Sequence, residues 1–125
     1  MPTLSRIAPE LPVSDLPRAI EHYEQKFGFH LVMPMPEADY AIVERDDVAI
    51  HLFQADTRNH SPGGVHIFTS DLDALYTEFE QRGAQFSQAI MRKPWGNRDF
   101  RLKDGFGNEL KFTEPLSQEE SEQGS

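Results

Sequence analysis

Thr69-Ser70-Asp71-Leu72-Asp73-Ala74-Leu75-Tyr76-Thr77-Glu78-Phe79-Glu80-Gln81-Arg82 decides the fold, because the chain carries much of it twice. At an offset of 56 positions, Ser14-Asp15-Leu16 lies under Ser70-Asp71-Leu72, Tyr23 under Phe79, Glu24-Gln25 under Glu80-Gln81 and Lys26 under Arg82. Ile20 under Tyr76 preserves an apolar position as well. A constant offset over this many residues marks an internal repeat. Two copies are too few for a solenoid, so the pattern predicts two similar halves related by a pseudo-twofold. Each copy reads as a capped helix, with Ser-Asp at its start and Gly28 or Gly83 at its end. Pro17 is tolerated in the first turn. Leu16, Ile20, Tyr23 and Phe27 form one apolar face at helical spacing, and Leu72, Leu75, Tyr76 and Phe79 form the other.

Strand patterns flank each helix. Ile7 to Val13 precedes the first, and Phe29 to Met33, Tyr40 to Glu44 and Val48 to Gln54 follow it. Pro9 and Pro12 cannot donate to a ladder, so the first strand lies at an edge or crosses to a partner. Ala55 to Gly64 is a polar, Gly- and Pro-containing linker. The second half runs Val65 to Thr69, helix, Ala84 to Ile90, Asp99 to Lys103 and Glu109 to Glu114. The expected architecture is α+β: two β-α-β-β-β modules, residues 5–55 and 64–115, in a single domain spanning 1–115. Residues 116–125 are polar and acidic and read as a disordered tail.

Composition narrows the function. The formal charge is −9, from 21 acidic residues against 12 Lys plus Arg, which disfavours nucleic acid and attracts cations. No apolar run approaches a membrane span, and Met1 to Arg6 lacks the apolar core of a signal peptide. The chain has no Cys, so thiolate metal sites and thiol nucleophiles are excluded, and a cytoplasmic location is expected. No nucleophile–base constellation stands out.

Strand alternation sorts the remaining candidates. Ile7, Val13, Val65, Ile67, Ile50, Leu52, Leu110 and Phe112 are assigned to the helix side of their sheets. The opposite face then receives Ala8 and Glu10, Ala49, His51 and Phe53, Gly64, His66 and Phe68, and Glu109, Lys111 and Thr113. Four strands sharing a mixture of Glu, His, Lys and Phe favour a binding groove over a bland solvated surface.

Ala8-Pro9-Glu10-Leu11-Pro12-Val13-Ser14-Asp15-Leu16, the later Gly64-Val65-His66-Ile67-Phe68-Thr69-Ser70-Asp71-Leu72, and Pro94-Trp95-Gly96 with Asp99, Asp104 and Gly107-Asn108 resemble the vicinal oxygen chelate superfamily of glyoxalases, bleomycin resistance proteins and dioxygenases. Over about residues 5 to 115 the chain is most similar to the bleomycin resistance proteins. The resemblance implies mixed sheets curved round a groove, helices on the outer face, and a homodimer with ligand sites at the interface. It carries the superfamily's metal positions onto Ala8, His51, Gly64 and Lys111. Ala and Gly offer no ligand atom, and Lys suits no hard cation. The expectation is therefore a protein without cofactor or catalytic residues that sequesters a cationic or aromatic small molecule, such as a bleomycin-type antibiotic. Candidate ligand contacts are Glu10, His51, Phe53, His66, Phe68, Trp95, Asp99, Arg101 and Lys111. Asp99 and Arg101 also suit an ordinary exposed pair, Phe53 and Phe68 equally suit dimer packing, and Trp95 equally suits capping an edge of the core. The rival is a metal-dependent lyase, dioxygenase or transferase whose site has moved to Glu10, His51, His66 and Glu109, a set suited to zinc or iron.

Overall fold

The computed structural model describes residues 2–35, 37, 39–56 and 60–115. Module 1 comprises β1 (Glu10–Val13), α1 (Leu16–Phe27), β2 (His30–Met35), β3 (Tyr40–Arg45) and β4 (Val48–Gln54). Module 2 comprises β5 (Gly64–Phe68), α2 (Leu72–Gln81), β6 (Gln85–Arg92), β7 (Arg98–Lys103) and β8 (Glu109–Thr113). The sheets have equivalent orders, β1-β4-β3-β2 and β5-β8-β7-β6, each with one parallel pair at the edge and antiparallel pairs elsewhere. The repeated α+β module read from the helices is thus the observed architecture.

The repeat is physical as well as formal. Asp15 accepts from the Arg18 N–H, and its counterpart Asp71 accepts from the Ala74 N–H. At the other ends, Lys26 Nζ donates to the Arg82 carbonyl at 3.2 Å while Arg82 Nη1 donates to the Gln25 carbonyl at 3.1 Å. Two cations separated by the repeat offset therefore cap each other's helix C-terminus, where the dipole favours positive charge.

Residues from both modules share one core. Phe27 of α1 and Phe79 of α2 meet edge to face, with centroids 6.1 Å apart. Ile50 and Leu52 of the first sheet and Leu110 and Phe112 of the second join the same cluster, as alternation predicts. A buried polar strut ties the modules. Asp104 accepts from Tyr23 Oη, from the backbone N–H groups of Phe106 and Asn108, and from Asn108 Nδ2. Asn108 Nδ2 also donates to the Pro12 carbonyl, and its Oδ1 accepts from the Gly63 N–H.

Three expectations change. β1 begins at Glu10 rather than Ile7, and Ile7 is 94% exposed instead of facing the helix. The Pro9 carbonyl accepts from the His51 N–H, but Pro9 has no N–H to return, so the ladder stops there. In α1, Ala19 is fully buried with Tyr23 and Phe27 while Ile20 is half-buried; in α2, Leu75 and Tyr76 are half-buried beside buried Leu72 and Phe79. β6 starts one residue later and ends two residues later than alternation suggested, and its pairing with β7 is irregular. The tail at 116–125 lies outside the described residues.

Candidate functional site

Because both sheets contribute their helix sides to one core, their second faces both point away from it. In module 1 a register row crosses Glu10, His51, Ile42 and Met33, and the next crosses Pro12, Phe53, Tyr40 and Met35. In module 2 the equivalent rows are His66, Lys111, Arg101 and Gln88, then Phe68, Thr113, Asp99 and Met91. The mixture expected across one groove is therefore partitioned. One face holds a carboxylate with His and Tyr, and the other holds the cations.

On the module 1 face, the Tyr40 hydroxyl lies 3.0 Å from Glu10 Oε1 and 2.7 Å from His51 Nδ1. Tyr40 has one proton. Donating it to the Glu10 carboxylate leaves its oxygen to accept from His51 Nδ1–H, which directs the Nε2 lone pair away from the triad. Burial, followed by the Glu10 carboxylate, raises the Tyr40 pKa and keeps the donor protonated. Phe53 packs edge to face on His60 at 5.5 Å. Tyr40 was missed by sequence reading, although its even-numbered alternation with Ile42 and Glu44 on β3 puts it on this face.

On the module 2 face, Asp99 is the hub. It is 1% exposed, so reading it as part of an exposed pair is incorrect. It lies 3.5 Å from Lys93 Nζ and 3.8 Å from Lys111 Nζ, and Gln88 Nε2 donates to it. An isolated buried carboxylate would be costly, and the two ammonium groups offset that cost. Arg101 is paired not with Asp99 but with Glu109, through Nη1 at 3.0 Å. Burial pushes the Glu109 carboxyl up, but hydrogen bonds from Ser87 and Arg101 outweigh it and hold the carboxyl below its ordinary value. His66 Nε2 lies 2.6 Å from Thr113 Oγ1, and its ring stacks on Phe68 at 4.4 Å. Burial, reinforced by neighbouring Lys111, lowers the His66 pKa, so the ring is neutral at pH 7.

The β6–β7 turn presents Trp95. Lys93 N–H donates to the Asn97 carbonyl, Gly96 N–H to the Lys93 carbonyl, and Gly96 takes a φ of 105° that favours glycine. Trp95 is left 64% exposed, and on the same sheet Phe68 is 60% exposed and Met91 46%. Phe68 and Met91 flank a row of cations and hydrogen-bonding groups, which suits a planar, polar small molecule better than bulk water.

The metal positions carried over from the resemblance do not form a set. Glu10, not Ala8, is level with His51, and His66, not Gly64, is level with Lys111. Among the described residues no three His, Asp or Glu side chains are gathered to hold a metal ion. Of the displaced set, Glu10 and His51 lie in one sheet and His66 and Glu109 in the other. A cavity of about 390 Å³ lies elsewhere, between the β3–β4 turn and α2. Of the nine predicted ligand contacts, Phe68 alone lines it, and its Arg45 and Glu78 are already joined by two hydrogen bonds.

Paired β-α-β-β-β modules are one scaffold whose function is set by the residues of the site and not by the fold. The family model for the Glyoxalase/Bleomycin resistance protein/Dioxygenase superfamily matches residues 3–112, and the chain belongs to that family. A bleomycin resistance protein of Geobacillus stearothermophilus is 27% identical over 127 residues, covering 86% of this chain and 95% of the relative. Among solved structures, TioX from Micromonospora sp. ML1 is similar with a TM-score of 0.78 at 24% identity, covering 90% of this chain and 99% of that one. The bleomycin-binding protein of bleomycin-producing Streptomyces verticillus, in complex with copper(II)-bleomycin, has a TM-score of 0.77 at 22% identity, covering 93% of this chain and all (100%) of that one. At these identities the structures show a shared fold.

Proposed function

We propose that this protein binds and sequesters a small molecule with an aromatic and a cationic part, of the bleomycin type, without transforming it. Phe68, exposed on the second face of module 2, carries this reading, with Trp95 exposed in the β6–β7 turn. It is supported by family membership and by relatives named as bleomycin resistance proteins. The negative field of a chain at −9 attracts the cationic part, with Glu10 as its partner on module 1.

A groove needs two walls, and one chain turns its two second faces away from a common core. A symmetric homodimer would set the module 1 face of one copy against the module 2 face of the other. It would also cover Met33, Phe68 and Met91, which are 46–60% exposed in the single chain. Isothermal titration with metal-free bleomycin should give a stoichiometry near one per subunit. Absence of heat at high micromolar ligand would remove bleomycin-type ligands. Sedimentation equilibrium at micromolar concentration should give twice the 14.3 kDa chain mass. A single species at the chain mass would refute a groove built from two copies.

A further inference from the structure

A purely cationic ligand does not account for module 2. Its central row places Lys111 on β8 directly beside Arg101 on β7, with His66 on the other flank of Lys111. Like charges at directly opposed positions repel, so an adjacent Lys–Arg pair costs stability unless something neutralises it. The chain supplies part of that neutralisation. Lys93, Arg101 and Lys111 face the two carboxylates Asp99 and Glu109, a formal excess of one positive charge within a protein of −9. Glu109 is taken by Arg101. Asp99 is shared by two lysines, and Lys111 is the more distant, at 3.8 Å. Arg101 Nε is buried and has no hydrogen-bond partner among the described residues. Two donor-bearing cations thus lie side by side with hydrogen-bonding capacity unused, next to the stacked His66–Phe68 pair.

The geometry points to an oxyanion site: Lys111 and Arg101 hold a carboxylate, sulfonate or phosphate group, and Phe68 packs against an aromatic ring that bears it. Guanidinium with ammonium is suited to planar or tetrahedral oxyanions. His66 takes part as a neutral ring and adds no charge. This deepens the proposed function and rests on it, since it takes the module 2 face as the ligand face. It assigns that face to an anionic end and leaves the cationic end of a zwitterionic ligand to Glu10.

Matched probes test this on the unmodified protein. Titration with naphthalene-2-sulfonate, with 2-naphthylmethylammonium and with sodium sulfate separates charge from ring. The sulfonate should bind at least tenfold more tightly than the ammonium compound, and added sulfate should compete with it. Sulfate binding as tightly as the sulfonate also supports an oxyanion site and identifies a free anion as its occupant. Equal affinity for the two naphthalenes overturns the proposal. Lys111→Met and Arg101→Gln, each checked for retained melting temperature, should weaken the sulfonate by about tenfold or more. A Lys111→Met protein that loses its self-association but keeps sulfonate affinity assigns the row to subunit pairing and also overturns it. Bleomycin titration fails separately: loss of bleomycin binding with sulfonate preference intact removes the antibiotic while leaving the oxyanion site.

Discussion

Tyr23→Phe tests the buried strut between the modules with a change of one oxygen. Tyr23 is fully buried, and its hydroxyl donates to Asp104 Oδ2 at 2.9 Å across a separation of 81 residues. A hydrogen bond to an ionised group contributes about 1.5–3 kcal/mol, because its removal leaves charge poorly solvated. Asp104 keeps three donors, the Phe106 and Asn108 N–H groups and Asn108 Nδ2, so the lower part of that range applies: about 1.5–2 kcal/mol. Near 125 residues each kcal/mol corresponds to roughly 4 °C, giving a fall of about 6–8 °C in melting temperature. Urea unfolding at fixed protein concentration should show a lower midpoint with an unchanged slope. A second readout comes from pH. Burial, followed by the Asp104 carboxylate, raises the Tyr23 pKa well above its ordinary value. The unfolded chain therefore loses this proton first. Wild-type stability is full below about pH 10 and falls above it, whereas the Phe variant lacks that share of the alkaline loss. A destabilisation below about 0.5 kcal/mol, with an unchanged alkaline slope, would refute the strut.

Glu78 is held below its ordinary value by hydrogen bonds from Arg45 first and Arg82 second, so its contribution is present at neutral pH and lost as pH falls below about 4.5. Glu78→Gln should flatten the acid side of the stability curve and, with these groups 25–37% exposed, cost under about 1 kcal/mol at pH 7; an unchanged acid slope would refute it. Gly107→Ala places a Cβ 2.7 Å from Pro62 Cγ at a φ of +95°, and should cost about 1–3 kcal/mol in urea unfolding, whereas the open position Gly105 should lose less. Metal analysis of protein purified without chelator should show substoichiometric zinc and iron; stoichiometric metal lost in His66→Ala would favour the enzyme reading.

The helices and edge strand were legible because their signals are local. An N-cap aspartate, a terminal glycine and an apolar face lie within one helix, and a repeat offset compares one short segment with another. Pro9 and Pro12 correctly forbade a central strand. The point where pairing stops was less legible, because it depends on a partner: the Pro9 carbonyl still accepts from His51, and the ladder fails one residue earlier. Asp99 shows the same limit at the site. Alternation separates it from Phe100 and Leu102, but nothing local reports that Lys93 from a turn and Lys111 from another strand close over it.

The division of charge between the faces was the least legible feature, although most of its residues had been named, Tyr40 and Lys93 excepted. Alternation says which face of its own strand a residue occupies. It does not say whether two such faces belong to one groove. That depends on how the modules pack, which here is set by long-range contacts: Phe27 on Phe79, Arg45 on Glu78, Tyr23 on Asp104 and Asn108 on the Pro12 carbonyl. These contacts join the modules through their helix sides, so Glu10 and His51 are carried away from His66 and Lys111. The displaced metal set Glu10, His51, His66 and Glu109 is then divided between the two sheets. The same packing makes the two faces chemically opposite, with a carboxylate triad on one and an excess cation on the other. A ligand lying between two copies would therefore meet opposite charge at its two ends, and its orientation in the groove would be fixed by that polarity.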